Sequence, residues 1–435
     1  MNQSTKPDRK AMPAIAKPGK ADIQKVQKHV FANGVPVHYI NAGTQDVLKI
    51  ELLFRAGTSE TEHPLVADFT NAMLEEGTLK HTAEEIASQL DYYGSFLETG
   101  VYHDYATVTL YSLTKHIGKV LPMLEELIKD PSYPEPEFEI NRTNKKQRFL
   151  VDDQKVRVVA SRNFPALLFG QKHPYGHIPE IEEFDTLKRE QLQTFHHSHY
   201  NAGDCIIIMS GHVNDGILKM SADYFGNRSW FDGNGNKRAK SGEMADIAPT
   251  SDRQKLIQRK GVMQSAIKVG KPLFLKSHPD AIPFQILNVV LGGYFGSRLM
   301  SNIREDKGYT YGISSGVIFM RNAGYFQVSS EVGSDVCSKA LTEVYKEIAR
   351  LCDELIPDAE LRLVKNYLAG NFMRSMDGPF ALAERFKQIW LCNLDYSYYE
   401  NYMRALSEIT AAELRNIAAK YLQADSLYEL VVGKK

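Results

Sequence analysis

Residues 63–78 read HPLVADFTNAMLEEGT. Leu65, Phe69 and Met73 recur at every fourth position, which on a helix gathers them into one apolar stripe. Gly77 comes soon after and is the residue type that ends helices in the left-handed conformation. The stretch predicts an amphipathic helix over 64–76, packed on a core through that stripe. Asp68, Asn71 and Ala72, at i, i+3 and i+4, share a face of their own. At that spacing two imidazoles can bind one Zn²⁺ while a Glu beside them acts as general base on the bound water. Asp68 offers one oxygen, Asn71 cannot accept a proton at neutral pH, and Ala72 has no donor atom.

Working outward, the helix is followed by TAEEI, by Gly94 and by the alternating strand YATVTLYS at 105–112. The segment 94–112 is similar to 308–330, 118–139 to 338–361, and 184–211 to 406–433. A repeat of this length implies two similar domains. Strands are predicted at 35–41, 47–55, 105–112, 205–212, 265–273, 324–330 and 427–432, separated by long helical runs. The expected class is α+β, with two mostly antiparallel sheets, each covered by helices on one face. The expected boundaries are a disordered arm at 1–24, a first domain at 25–231, a polar linker at 232–255 and a second domain at 256–435.

Composition narrows the function. A net charge of −1 leaves no basic footprint for nucleic acid or an anionic membrane. No apolar run approaches the roughly 18 residues of a membrane span. The Lys/Pro/Ala-rich start lacks an apolar signal core, so the default compartment is cytoplasmic, or periplasmic if a signal has been removed. Cys205, Cys337, Cys352 and Cys392 form no CxxC pair and demand no oxidising environment.

The second half carries LGGYFGSRLMSNIREDKGYTYGISSG at 291–316. Together with the 63–78 frame it resembles the pitrilysin/insulinase family of zinc peptidases. In that family the first helix bears an inverted HxxEH zinc motif, and here its His, Glu and His positions are Asp68, Asn71 and Ala72. The family's third ligand, a Glu, falls in the basic window Asn144-Lys145-Lys146-Gln147-Arg148-Phe149. The resemblance therefore implies no zinc on this chain and none of the family's hydrolysis by the chain alone. It also implies that Arg304 and Tyr311, the family's Arg/Tyr pair, face a zinc helix across a substrate chamber and hold the substrate's carbonyl oxygen. Arg298 of the SRL segment is expected to be structural. Since the family includes dimers of a zinc-bearing and a zinc-less chain, the implied role is the non-catalytic, substrate-binding subunit. Its partner would be an HxxEH-bearing chain that alone holds the zinc, and its substrates unfolded peptides that pair with a sheet edge. The alternatives are an inactive scaffold and a peptide-binding homodimer. A third, independent reading takes His196 and His199, at i and i+3, as a metal clip. His103 and Asp104 read as a polar pair without a nameable partner.

Overall fold

A computed structural model describes residues 23–230 and 252–435. The first sheet contains β1 (Gln27–Val30), β2 (Pro36–Asn41), β3 (Val47–Phe54), β4 (Phe96–Val101), β5 (Ala106–Leu113) and β6 (Cys205–Gly211). Its order is β1-β2-β6-β3-β5-β4, antiparallel except for the β2–β6 pair. The second sheet contains β7 (Gln254–Gln258), β8 (Gln264–Leu273), β9 (Thr310–Phe319), β10 (Gly324–Gly333) and β11 (Tyr428–Gly433). Its order is β7-β11-β8-β10-β9, again with one parallel pair, β7–β11. Apart from β1 the two orders superpose strand for strand, and the repeated segments 94–112 and 308–330 are the equivalent hairpins β4–β5 and β9–β10. The expected arm at 1–24 and linker at 232–255 lie mostly outside the described residues, and β7 already begins at Gln254.

One expectation is corrected: helices cover both faces of each sheet. On β3, Leu48, Ile50, Leu52 and Phe54 point into a core shared with the first half's own helices. The alternate residue Leu53, with Ile40, Ile206 and Ile208, packs against Leu382, Ala383 and Phe386 of the helix Gly378–Trp390, which belongs to the second half. The arrangement is reciprocal. The helix Val156–Phe169, from the first half, lays Val159, Phe164 and Leu168 on Ala266, Leu430 and Val432 of the second sheet. Period-2 strands with both sets of side chains apolar need cover on both sides. Order along the chain does not reveal that the cover comes from the opposite half.

The seam between β3 and the helix Gly378–Trp390 holds four charges. Lys49 contacts Glu51 at 3.2 Å and Glu384 at 2.5 Å, and Lys387 contacts Glu51 at 2.6 Å and Glu384 at 2.8 Å. Burial alone would lower the two ammonium pKa values; the facing carboxylates outweigh it and raise both.

Candidate functional site

The 63–78 stretch forms the helix Pro64–Ala72 and a 3₁₀ turn Met73–Glu76, with Gly77 beyond at φ +144°. Leu65, Phe69 and Met73 enter the first core, as their spacing predicts. Asp68, half-exposed, accepts an ion pair from Lys145 at 2.5 Å. Lys145 lies on the helix Glu135–Asp153, within the window where the family's third ligand belongs. Its ammonium also stands 4.7 Å from the centre of the Phe69 ring. A cation therefore sits where a metal-binding frame would need carboxylate and imidazole donors.

Asn71 is buried, at 1 % exposure, and its amide donates to the Tyr200 hydroxyl at 3.0 Å and the Thr107 carbonyl at 3.3 Å. Tyr200 is itself buried, and desolvation pushes its phenol far above the usual range. Asn71 is thus a neutral core hydrogen-bond donor. Next in line, Glu75 is raised by burial and by Glu76, with the Thr99 hydroxyl bond opposing. These residues do not fit a zinc ion: Asp68 is paired with Lys145, Asn71 donates to Tyr200, and Ala72 has no donor atom. Among the described residues no group of three or more His, Cys, Asp or Glu is placed to hold a metal.

The three histidines of 196–199 divide. His196 Nε2 bonds the Ile128 carbonyl at 2.9 Å, and His199 Nδ1 the Arg55 carbonyl at 2.8 Å. Two ring nitrogens of the suggested clip thus go to different backbone carbonyls. Burial holds His196 neutral, with its pKa lowered to about 4. Asp104 has partners that sequence reasoning did not find: the Tyr175 hydroxyl donates to one oxygen and the Arg321 backbone N–H to the other at 2.9 Å. It ties the tip of the β4–β5 hairpin to the tip of β9–β10. Neither Tyr200 nor Lys145 was foreseen; the one available signal was the basic character of 144–149.

In the second half the Gly-rich turn is needed for close approach: a Cβ on Gly292 would lie 2.6 Å from the Ser315 amide of β9. Arg298 makes a two-pronged bond to Glu360 at 2.9 and 2.8 Å and is structural. Arg304 lies in the last turn of the π-helical segment Met300–Asp306, which Gly308 ends at φ +66°. Its guanidinium carbon stands 4.7 Å from the centre of the Phe295 ring. Tyr311 opens the edge strand β9 and is 92 % exposed. No hydrogen bond or ion pair from either polar end to a described residue is present.

Comparison with known proteins matches residues 186–368 to the peptidase M16 inactive domain. A crystal structure of a peptidase M16 inactive domain from Pseudomonas fluorescens is 25 % identical, with a TM-score of 0.83 over 95 % of this chain and 99 % of that one. The chain is similar to the peptidase M16 inactive domain. An uncharacterised zinc protease of Bacillus subtilis is 21 % identical over 81 % of this chain and 85 % of its own. One from Rickettsia felis is 21 % identical over 89 % and 93 %. A protease from Helicobacter pylori, 16 % identical, shares the fold at a TM-score of 0.81 over 94 % of this chain and 99 % of that one. These similarities agree with the resemblance that the two motifs carry in this chain. No helix among its described residues is long and apolar enough to cross a membrane.

Proposed function

We propose that this chain is the non-catalytic, substrate-binding subunit of a two-chain zinc peptidase that degrades peptides. An HxxEH-bearing relative would supply the zinc, and Arg304 and Tyr311 would meet the substrate carbonyl there. One contrast carries the reading. The residues in the zinc frame are committed to the fold, Asp68 to Lys145 and Asn71 to Tyr200, whereas the Arg304 guanidinium and Tyr311 hydroxyl have no polar partner among the described residues. A scaffold has no use for an exposed phenol and a guanidinium held only by an aromatic face. Hydrolysis develops negative charge on the carbonyl oxygen, and fixed donors are most effective against that charge.

The test is kinetics on the reconstituted pair. Tyr311→Phe should lower kcat on the order of a hundredfold, about 3–4 kcal/mol, with KM little changed, because its donor acts on the transition state. Arg304→Ala should impair both terms, since a cation also binds the ground-state carbonyl. Size-exclusion chromatography establishes that the pair persists. Unchanged kcat in both variants would reject the role and favour a scaffold or a peptide-binding homodimer.

A further inference from the structure

A second candidate site lies away from both motifs. Between the two halves is a cleft of about 440 Å³, walled by Ile206 of β6, Val317 and Phe319 of β9, and Trp390 at the end of the exchanged helix Gly378–Trp390. That volume lies within the usual range of small-ligand pockets, which favour such junctions. Lys276 and Arg321 reach the same cleft.

The charges on its wall are unevenly satisfied. Arg55 is paired with Glu60 at 2.9 Å. Asp104 has one oxygen bonded by Tyr175 and the other by the Arg321 backbone. Asp204 has interactions of its own. The Lys276 ammonium donates weakly to the Gln388 carbonyl at 3.4 Å and stands 5.1 Å from the Tyr398 ring centre. Burial holds its pKa below the usual ammonium range. The Arg321 guanidinium makes no hydrogen bond or ion pair with a described residue, although its backbone is anchored. A guanidinium stays charged at any physiological pH. Half-buried beside an apolar wall, it has no direct ion pair with a described residue, and the carboxylate that its own backbone N–H meets, Asp104, already has both oxygens bonded.

We propose that this cleft binds a single carboxylate carried on an apolar body, the free C-terminal end of a peptide, with Arg321 as the anchor. A guanidinium presents two parallel N–H donors that match a carboxylate. Asp104 and Asp204 on the same wall repel a multiply charged anion such as a phosphate. The apolar wall accepts one bulky terminal side chain. The choice of a peptide end rests on the peptide-handling function proposed above; the site itself does not.

The probe is an N-acetylated alanyl-phenylalanine titrated into the full chain by calorimetry. Its C-terminal amide and octanoate serve as the other arms. The emission of Trp390, one of two tryptophans, reports occupancy. The free acid should bind and the amide should bind about ten- to a hundredfold more weakly, the range for a charge-assisted pair. Arg321→Ala should weaken the acid by a similar factor and leave the amide unchanged, with circular dichroism verifying the fold. Should that variant fail to fold, Arg321→Gln, which removes the charge and keeps most of the side chain, is read in the same way. Tyr311→Phe should leave the cleft affinity unchanged, which separates this site from the proposed Arg/Tyr role. Equal binding of acid and amide, no acid binding at millimolar concentration, or unchanged acid affinity in the Arg321 variant would overturn the proposal. Octanoate binding without the peptide acid would overturn the peptide end as ligand.

Discussion

At the residue scale, Asp68 and Asn71 sit one turn apart on the same helix and contribute unequally to stability. The Asp68–Lys145 pair is half-exposed on the carboxylate side, so solvent screens it, and such pairs contribute about 0–1 kcal/mol. Asn71 is buried, and removing its amide leaves the Tyr200 hydroxyl without this partner in a dry environment. An unsatisfied buried group costs about 1–3 kcal/mol. Urea denaturation should therefore place Asn71→Ala well below Asp68→Ala in stability. Asn71→Glu, which restores the family's general base, should be worse still, because the carboxylate would be buried against the Tyr200 hydroxyl and the Thr107 carbonyl rather than facing a metal. Equal losses for Asp68→Ala and Asn71→Ala would mean that the buried amide is not the structural member of the pair. The sequence told which residue types were absent. It could not tell that Asn71 had been absorbed into the core, because that depends on Tyr200, distant along the chain.

At the element scale, the strands that the alternation pattern found are the interior ones. The pattern missed β1, β4, β7 and β9, which are the four sheet edges. The physical cause is visible in β1 and β7, whose residues are almost all exposed: an edge strand buries little and has no alternation to display. In β9 the run TYGISSG carries glycines and serines, and its strand character comes from pairing with β10. The exchanged helix Gly378–Trp390 was legible as a helix but not as the cover of the other half's sheet. Its docking predicts a pH dependence. His38 on β2 lies under this helix, 4.6 Å from the Phe386 ring and 6.5 Å from Trp390 by ring centres. Burial first, and Lys28 second, lower its pKa from 6.5 to about 4. Between those values the unfolded chain binds the proton and the folded chain does not, so stability falls as pH drops from 6.5 towards 4. His196, also lowered to about 4 from 6.5, adds to the same limb. Glu384, whose pKa is lowered by its lysines against burial, loses its contribution only below the ordinary Glu range. Unfolding free energies measured at intervals from pH 6.5 to 4.5 should give a shallower slope in His38→Gln than in the parent, the difference approaching one proton near the middle of that range. Parallel slopes would mean that His38 does not remain neutral under the helix.

At the scale of the whole molecule, the repeat suggests two units that could each fold, and the exchanged helices argue against it. Without Gly378–Trp390, the first sheet would expose Ile40, Leu53, Ile206 and Ile208, all less than a tenth exposed in the intact chain. Burying one such side chain is worth about 1.5–3 kcal/mol, so the four together are worth about 6–12 kcal/mol. That is comparable with the whole stability of an ordinary domain, about 5–15 kcal/mol. Lys49 and Glu51 would also lose Glu384 and Lys387. The second sheet faces the same loss at Ala266, Leu430 and Val432 without the helix Val156–Phe169. Fragments 1–240 and 241–435, produced separately, should therefore aggregate or lack cooperative unfolding. Co-expressed, they should associate into a species of the parent's size, since the cut falls between Trp230, the last described residue of the first half, and β7. Size-exclusion chromatography and thermal circular dichroism on each fragment and on the pair provide the measurement. A monomeric, cooperatively unfolding fragment 1–240 would show that the exchanged helix is an accessory rather than part of the first half's core. The proposed cleft, walled by both halves and by the end of that helix, should then reappear only in the reassociated pair, because neither fragment carries both Ile206 and Arg321.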